Sequence, residues 1–287
     1  MGSLKALTLA SAVALGAIPA AFAPAAHAAD LLPPPPQLEP PPLRGPVDEV
    51  GFYMRADIGV GAVSASGLRS TFTDGSTLAS LNAFDGSATV GDNYLLSLGL
   101  GWQFNQWFRA DVTGEYRGAS SYQSYVTYSG GGTCAIGSGV NCGDQYTGTV
   151  KTGLFLANGY IDIGTWYGFT PYVGGGVGAA FYQTAGVRDL SLNPGGAFGF
   201  ASNYNGTNFA WSLTGGVAYF LAPNLKLDVA YRYVNMGTFK TAAIGCNDTT
   251  TCHGEIQSFN MASNDLLFGL RWFAPAIAPV PVLQTRY

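Results

Sequence analysis

The amino-acid sequence predicts an all-β fold: an eight-stranded antiparallel transmembrane β-barrel with four long external loops and short periplasmic turns. Three observations support this prediction. The N-terminus reads as a removable export signal, the chain is apolar on average without any long apolar run, and eight segments alternate apolar with polar residues. Alternation with a period of two places the two residue types on opposite faces of a strand. In a membrane barrel one face contacts lipid and the other lines the lumen.

The two ends of the chain suggest how it is organised. Lys5 precedes "ALTLASAVALGAI", which is too short to cross a bilayer as a helix, and small residues stand at Ala26 and Ala28. We therefore expect residues 1–28 to be a cleaved signal peptide that directs export to the outer membrane. Residues 29–50 contain "LLPPPPQLEPPPLRGP" and read as an extended periplasmic leader, with a ligand for a proline-binding domain as the alternative.

Composition excludes several classes of protein. Charged residues make up 10% of the chain, against roughly 25% in soluble domains. The net charge is −4, and no basic patch suggests a nucleic-acid partner. No segment after the signal has the roughly 18 apolar residues of a spanning helix. A soluble β-sandwich is the alternative to a barrel, but its outer faces would be large exposed apolar patches.

The first three strands show the alternation clearly. They are "GFYMRADIGVGAV", "NYLLSLGLGWQF" and "WFRADVTGEYRG", which begin at Gly51, Asn93 and Trp107. In the third strand, charged residues and threonine share one face, while Phe108, Val112 and Tyr116 share the other. A polar stretch separates the first two strands, and a short Asn–Gln turn joins the second to the third.

The remaining five strands complete an even number. The fourth, "TVKTGLFLANGYIDIG", is the least regular, and we expect its phase to slip near Asn158, at a bulge. The others are "FTPYVGGGVGAAFY", "NFAWSLTGGVAYFL", "LKLDVAYRYVNM" and "NDLLFGLRWF". Long and short connections alternate along the chain, as in bacterial outer-membrane barrels. An open sheet would leave backbone groups unpaired in lipid, so the first strand must pair with the eighth.

Four cysteines lie in the predicted loops. Cys134 and Cys142 are close in sequence, as are Cys246 and Cys252. In an exported chain they read as disulfides, and the short spacings favour local pairing among three connectivities. Zinc is the weaker interpretation, because neither pair has the spacing of a zinc motif.

Three segments carry a resemblance to a known family. "PYVGGGVGAAFY", "LKLDVAYRYVNMG" and "LLFGLRWF" resemble the small OmpA-like and opacity-type barrels, most closely the outer-membrane immunogenic (porin-family) proteins of alphaproteobacteria, in which a proline-rich leader is also familiar. The likeness covers residues 51–273 and implies an outer-membrane protein with surface-antigen character. It implies no wall-anchoring role, since we expect no C-terminal peptidoglycan-binding domain.

The eighth strand resembles the terminal strand that the barrel-assembly machinery recognises. The residues implied in this signal are Phe268, Gly269, Leu270, Trp272 and Phe273. A proline-containing tail, residues 274–287, follows it, and either a periplasmic position or a cap on the lumen fits its sequence.

The inward faces of the predicted strands carry a set of charged residues. In an eight-stranded barrel the third strand lies across the lumen from the seventh, and alternating signs on both suggest a network of ion pairs. The predicted network consists of Arg55, Asp57, Arg109, Asp111, Glu115, Arg117, Lys226, Asp228, Arg232, Asp265 and Arg271. Such residues either plug the barrel or line a narrow pore for small solutes. A plug whose core contains Asp111 and Arg232 predicts higher conductance and lower heat resistance when both become alanine.

Enzymatic activity is not expected, and no cofactor or metal is implied. His27 leaves with the signal, so His253 is the only histidine of the mature chain, and it lies in a predicted loop. Asp111 and Glu115 would stand about 13 Å apart on a strand, too far for a glycosidase pair.

The long loops offer a further hypothesis, interaction with an extracellular ligand. They cover residues 64–92, 118–148, 182–206 and 237–262. One of them contains Tyr122, Tyr125, Tyr128 and Tyr146, residues of a type common at binding surfaces. The alternative is that the loops merely extend the hairpins of the barrel. The partners expected are thus outer-membrane lipid, the assembly machinery and an extracellular ligand.

Overall fold

The computed structural model describes residues 50–73, 84–128, 142–192, 198–246 and 254–274. Within those ranges, no helix has both the length and the apolar character needed to cross a membrane. The predicted signal peptide, most of the leader and most of the C-terminal tail lie outside the described residues, as do Cys134, Cys252 and His253.

Eleven β-strands are present in the described residues, and eight of them close into a ring. The ring order is β1-β3-β4-β5-β6-β8-β9-β11, and every neighbouring pair is antiparallel. The bounds are β1 Gly51–Phe72, β2 Phe84–Val90, β3 Asn93–Gln103, β4 Phe108–Tyr128, β5 Cys142–Asp162, β6 Phe169–Ser191, β7 Phe198–Ala201, β8 Tyr204–Ala222, β9 Leu225–Lys240, β10 Ile244–Cys246 and β11 Glu255–Phe273.

The barrel closes between its first and last strands. β1 pairs with β11 from Tyr53 opposite Phe273 to Phe72 opposite Glu255. Closure satisfies the backbone groups that an open edge would leave without partners in lipid. The predicted fold class, an eight-stranded antiparallel barrel, is confirmed.

Short connections gather at one end of the barrel. They join β3 to β4, β5 to β6 and β8 to β9, and the described chain also starts and ends at this end, at Gly51 and Phe273. The turn between β5 and β6 places Tyr167 and Gly168 at positive φ, 53° and 84°. We call this the turn end, and the opposite end, which carries the long hairpins, the hairpin end.

The strands continue far into the segments predicted as loops. The predicted loop 118–148 is occupied largely by β4 and β5, which pair from Ser120 opposite Val150 to Tyr128 opposite Cys142. β2 pairs with β4 beyond the end of β3, and β7 and β10 pair with each other between β6 and β11. The barrel wall therefore extends well beyond the segments that the alternation marked as strands.

Each of the four strands that run towards the hairpin end carries one extra residue. The register shifts between Ser66 and Arg69 on β1, and between Arg117 and Ser120 on β4. Equivalent shifts lie on β6, opposite Thr147 and Thr149, and on β9, opposite Asn260 and Ala262. Such bulges reverse which residues face inward beyond them, because the side-chain period of a strand is two.

Glycine occupies each of these four bulges. Gly67, Gly186 and Gly237 have positive φ angles of 63°, 61° and 76°, which side chains with a Cβ rarely adopt. The bulge on β4 contains Gly118, where a Cβ would lie only 2.6 Å from the ring of Tyr94, too close for a larger residue. The repetition of one device on every second strand of the ring indicates that the bulges are built into the fold.

A belt of exposed apolar side chains surrounds the half of the barrel next to the turn end. It includes Met54, Ile58, Val60, Leu96, Leu98, Leu100, Trp102, Phe108, Val112, Tyr116, Phe155, Ile161, Val173, Val177, Phe181, Phe209, Leu213, Val217, Tyr231, Leu266, Phe268, Leu270 and Trp272. We call these residues the apolar belt. Beyond the bulges the outer wall is mainly polar, with exposed residues such as Ser121 and Gln123 on β4.

Candidate functional site

The candidate site is the lumen, because charged side chains converge there inside the belt. All eleven residues of the predicted network face inward and are buried. A charge in such a position is costly unless it is paired and hydrogen-bonded. Each of these charges therefore needs partners inside the lumen.

A four-residue cluster lies where the belt meets the hairpin end. Arg232 on β9 contacts Glu115 on β4 at 2.6 Å and Asp265 on β11 at 2.7 Å. Arg117 pairs with the same two carboxylates, through Nε to Glu115 at 2.8 Å and through both terminal nitrogens to Asp265. The contact between Arg232 and Glu115 spans the lumen. This cluster is neutral and cross-links three strands.

A second cluster is centred on Arg55 of β1. Its guanidinium binds Asp57 at 2.8 Å and Asp111 at 3.1 Å, and donates to the hydroxyl of Tyr160 at 2.9 Å. Asn158 donates to the other oxygen of Asp111 at 2.8 Å. The carboxylate of Asp111 is thus held by β1 and β5.

Asp111 and Arg232 belong to different clusters. The sequence had suggested this pair as the core of a plug, but Asp111 bonds to Arg55, Asn158 and Tyr53, while Arg232 bonds to Glu115 and Asp265. The two residues lie on opposite strands but at different heights along the barrel, so they do not pair with each other, and the effect of changing both stays a prediction. Glu115, four residues further along β4, stands level with Arg232.

The turn end holds three further cations. Arg109 pairs with Asp162 at 3.1 Å, with its guanidinium 4.0 Å from the ring centre of Tyr160 and 4.4 Å from that of Tyr172. Arg271 binds Asp228 at 2.6 Å. Lys226 lies 4.3 Å from the ring centre of Phe220. Cation–π contacts of this kind favour a desolvated cation.

Asp162 was absent from the predicted network. The sequence suggested a phase slip near Asn158, yet β5 keeps its register on both sides there, with Asn158 opposite Asp111 and Gly176. The predicted slip was wrong. Residues of β5 alternate regularly between the inside and the outside of the barrel, but Leu154 and Leu156 are apolar residues on the inside, so the sequence pattern looks irregular. With Asp162 added, the described residues that line the lumen inside the belt include six cations and six carboxylates, whose formal charges sum to zero.

Above the charges, the lumen is filled by apolar side chains that the sequence reasoning missed. Four aromatic rings follow one another across it: Tyr122 stacks on Phe259 at 4.8 Å, Phe259 lies tilted against Phe239 at 6.2 Å, and Phe239 stacks on Tyr182 at 3.9 Å between ring centres. These residues come from β4, β11, β9 and β6. We call them the aromatic row. Met236, Met261, Val150 and Val234 are buried around it.

Acidic residues line the mouth beyond the aromatic row. Tyr146 donates to Glu255 at 2.6 Å, and Tyr122 donates to Gln257 at 2.6 Å. Burial, followed by the charges of Asp144 and Glu255, raises the pKa of Asp189 to about 7. The hairpin end therefore presents a polar mouth above an apolar core.

Comparison with known proteins gives relatives but no matching family model. An uncharacterised protein of Brucella abortus (strain 2308) is 30% identical over 224 residues, which cover 74% of this chain and 76% of that protein. Outer membrane protein PagN of Salmonella typhimurium is 25% identical over 232 residues, 77% of this chain and 89% of PagN. A candidate adhesin of Rickettsia prowazekii is 29% identical over 222 residues, 77% and 86% of the two chains.

The chain belongs to the family of small outer-membrane β-barrel proteins. Its localisation is the bacterial outer membrane, as for PagN. Among solved structures, Neisserial surface protein A is similar with a TM-score of 0.41 and 19% identity, over 78% of this chain and 97% of that one. OprG of Pseudomonas aeruginosa has a TM-score of 0.48 and 16% identity, over 79% and 98%.

The predicted assembly signal of this outer-membrane barrel lies on β11. Phe268, Leu270 and Trp272 are exposed in the apolar belt. Phe273 is buried instead, with its ring 5.6 Å from that of Tyr53. Gly269 leaves room for Asp57, whose Oδ1 occupies the space of a Cβ.

The tyrosines predicted for a binding surface divide between two environments. Tyr122 and Tyr146 are buried inside the barrel, and Tyr125 is exposed on its wall. The side chain of Tyr128 lies outside the described residues. The prediction of a tyrosine-rich surface was therefore wrong for two of its members, because β4 and β5 continue as strands and alternate between core and wall.

Among the described residues, an apolar patch lies on the outer wall above the belt. Leu190 on β6 lies opposite Phe198 on β7, and Phe200 is opposite Arg188. Phe200 is 62% exposed, and a groove of about 570 Å³ runs past these residues. Exposed apolar patches outside the membrane often mark interaction sites, so this patch is a candidate binding surface.

Proposed function

We propose that this protein is a closed, non-enzymatic barrel that contributes to the integrity of the outer membrane and displays its hairpins at the cell surface. The observation that carries the proposal is that the lumen is filled at two levels. Ion clusters whose formal charges together sum to zero occupy it inside the belt, and the aromatic row crosses it above them. Eight-stranded barrels have interiors just wide enough to be filled by side chains.

Conductance in a planar lipid bilayer tests the closed state. We expect the mature protein to be silent. Because two levels close the lumen, a variant that opens only one should remain silent as well. Combining Arg232→Ala, Glu115→Ala and Asp265→Ala with Phe239→Ala and Phe259→Ala should produce current. Steady current from the unaltered protein would instead favour the second reading, a narrow channel for small solutes.

The export and assembly of the barrel form part of the same proposal. Residues 1–28 act as the signal peptide, residues 29–50 stay in the periplasm, and β11 presents Phe273 to the assembly machinery. The two cysteine pairs, Cys134 with Cys142 and Cys246 with Cys252, form local disulfides in the external hairpins. Mass spectrometry of the mature protein, before and after reduction, measures both the first residue and the pairing.

Adhesion is the second candidate, favoured by the exposed patch of Leu190, Phe198 and Phe200. The similarity to PagN and to the candidate adhesin of Rickettsia prowazekii supports it. Cells that display the double variant Phe198→Ser and Phe200→Ser should adhere less to host-cell monolayers. The double variant Ser121→Ala and Gln123→Ala is the matched comparison, because both side chains are exposed on the outer wall of β4, which is not a neighbour of β6 or β7. Equal adherence by all three forms would count against this role.

A further inference from the structure

At Lys151, the outer surface of β5 changes from apolar to charged, at the edge of the apolar belt that faces the hairpin end. It is exposed on β5, two residues from Gly153. The outward residues nearer to the turn end on the same strand are Phe155, Ala157 and Ile161. Lys151 is thus the first charged side chain that this strand presents outside the belt, at the height where lipid headgroups meet the barrel.

A slot lies immediately below this lysine. Gly153 is flanked across the sheet by Tyr116 on β4 and Phe181 on β6. Both aromatic side chains are about half exposed, at 53% and 52%. Their strands are two ladder spacings apart, roughly 10 Å. Since glycine has no side chain, the space between the rings is open and about one hydrocarbon chain wide.

Polar groups surround the upper end of the slot. Gln183 lies directly opposite Lys151 and donates to Asn205 at 2.9 Å, while Thr207 lies opposite Phe181. These residues and the slot below them line a groove of about 550 Å³. On the side of β4, Lys151 faces the bulge at residues 118–119, a glycine and an alanine, which leave the lysine uncovered. The groove is apolar towards the membrane and cationic and amide-rich towards the outside.

We propose that this groove binds a lipid with an anionic phosphate headgroup, in the outer leaflet. The hydrocarbon chain would lie over Gly153 between Tyr116 and Phe181, and the phosphate would meet the ammonium group of Lys151. Charge complementarity selects the headgroup, because lysine binds phosphate as a point charge. The inference does not depend on whether the lumen conducts, since the groove lies on the outside of the wall.

Lipid retention by the full mature chain, refolded in a neutral detergent, tests the site. Native mass spectrometry would count bound dioleoylphosphatidylglycerol against dioleoylphosphatidylcholine. We expect the unaltered protein to retain the anionic lipid preferentially. Lys151→Gln should weaken that retention about fivefold, the effect of one lysine at an anionic surface. Lys240→Gln is the matched control, because Lys240 is also exposed on the wall but lies on β9, three strands further round the ring.

A second variant separates the hydrocarbon slot from the charge. Gly153→Phe fills the slot, and a Cβ there meets only a backbone oxygen at 3.5 Å, so the barrel should fold. We expect it to lose retention of the anionic lipid although Lys151 is present. Equal retention of both lipids by the unaltered protein, or unchanged retention in Lys151→Gln, would overturn the proposal. Displacement of the lipid by millimolar inorganic phosphate would also overturn it, by reducing the site to an anion contact.

Discussion

The two halves of this barrel use the same strands with opposite polarity. In the half enclosed by the apolar belt, which we call the lower half, charged residues face the lumen and apolar residues face outward; the half beyond the bulges is the upper half. Beyond the bulges, aromatic and aliphatic residues such as Tyr122 and Phe239 face inward, while serine, threonine and glutamine face outward. The difference follows from the solvent, because lipid surrounds one half and water the other. The wall is continuous, but its two cores are of different kinds.

This contrast predicts that the lower half depends on completed ion pairs. Asp265→Ala removes a carboxylate that serves both Arg117 and Arg232, and both guanidinium groups stay buried. Breaking a buried pair in this way costs about 3–5 kcal/mol. We expect the largest loss of stability here, measured as the urea midpoint of the barrel in phospholipid vesicles.

Its control is Asp92→Asn, which removes an exposed negative charge near the belt but keeps a side-chain oxygen that can accept the hydrogen bond from the backbone N–H of Val63. That change should move the midpoint little, since surface charges contribute roughly 0–1 kcal/mol. If both variants lost the same amount of stability, the ion cluster would not be what holds the lower half together.

The upper half should respond instead to the loss of packing. Phe239→Ala removes the central ring of the aromatic row, between Tyr182 and Phe259. Phe→Ala substitutions in cores cost about 3–5 kcal/mol, and the lower figure is expected near a mouth that water can reach. Protection of backbone amides in β9 and β11 from hydrogen exchange should fall beyond the bulges and persist within the belt. Uniform loss along both strands would mean that the halves unfold as one unit.

On the outer surface, a new charge should destabilise the barrel inside the belt but not beyond the bulges. Leu98→Arg places a charge in the belt and should cost about 2–4 kcal/mol near the bilayer midplane. Ser121→Arg places the same side chain on the wall beyond the bulge of β4, where water surrounds it, and should cost almost nothing. The two unfolding midpoints, measured in the same vesicles, locate the edge of the membrane. Similar losses would show that lipid covers both positions.

The sequence was sufficient to predict the lower half. Eight alternating segments identified the strands of the ring, and the inward charges were found by their phase alone. Asp162 was missed because Leu154 and Leu156 face inward beside it, which broke the expected polarity of β5. Charge balance offered a signal: the predicted eleven residues contained six cations and five carboxylates, so one partner was missing.

The upper half could not be predicted from the alternation, because the phase reversal at the bulges and the change of solvent from lipid to water cancel each other in the sequence pattern. On β4, Tyr116 faces lipid and Tyr122 faces the core, although their even spacing assigns them to one face. The bulge at Gly118 reverses which residues face inward, and it lies at the height where water replaces lipid outside the barrel. Apolar residues therefore stay at even-numbered positions on β4, although they face outward before the bulge and inward after it. Phe181 and Val187 on β6 repeat this pattern around Gly186. Periodicity cannot detect a bulge under these conditions.

The two halves should also differ in how their stability depends on pH. Asp189 lies at the mouth, where burial and the charges of Asp144 and Glu255 raise its pKa to about 7 from an ordinary value of 3.8. A raised carboxyl pKa means that the folded protein binds more protons than the unfolded chain between these two values, so stability falls as the pH rises from 4 to 7. Asp189→Asn, which cannot ionise, should be less sensitive to pH over that interval. The heat-induced shift of the folded band on a gel at pH 5 and pH 8 measures the difference. Asp92→Asn, an exposed carboxyl outside the mouth, should leave the pH dependence as it is, and the same flattening in both variants would remove the mouth as its source.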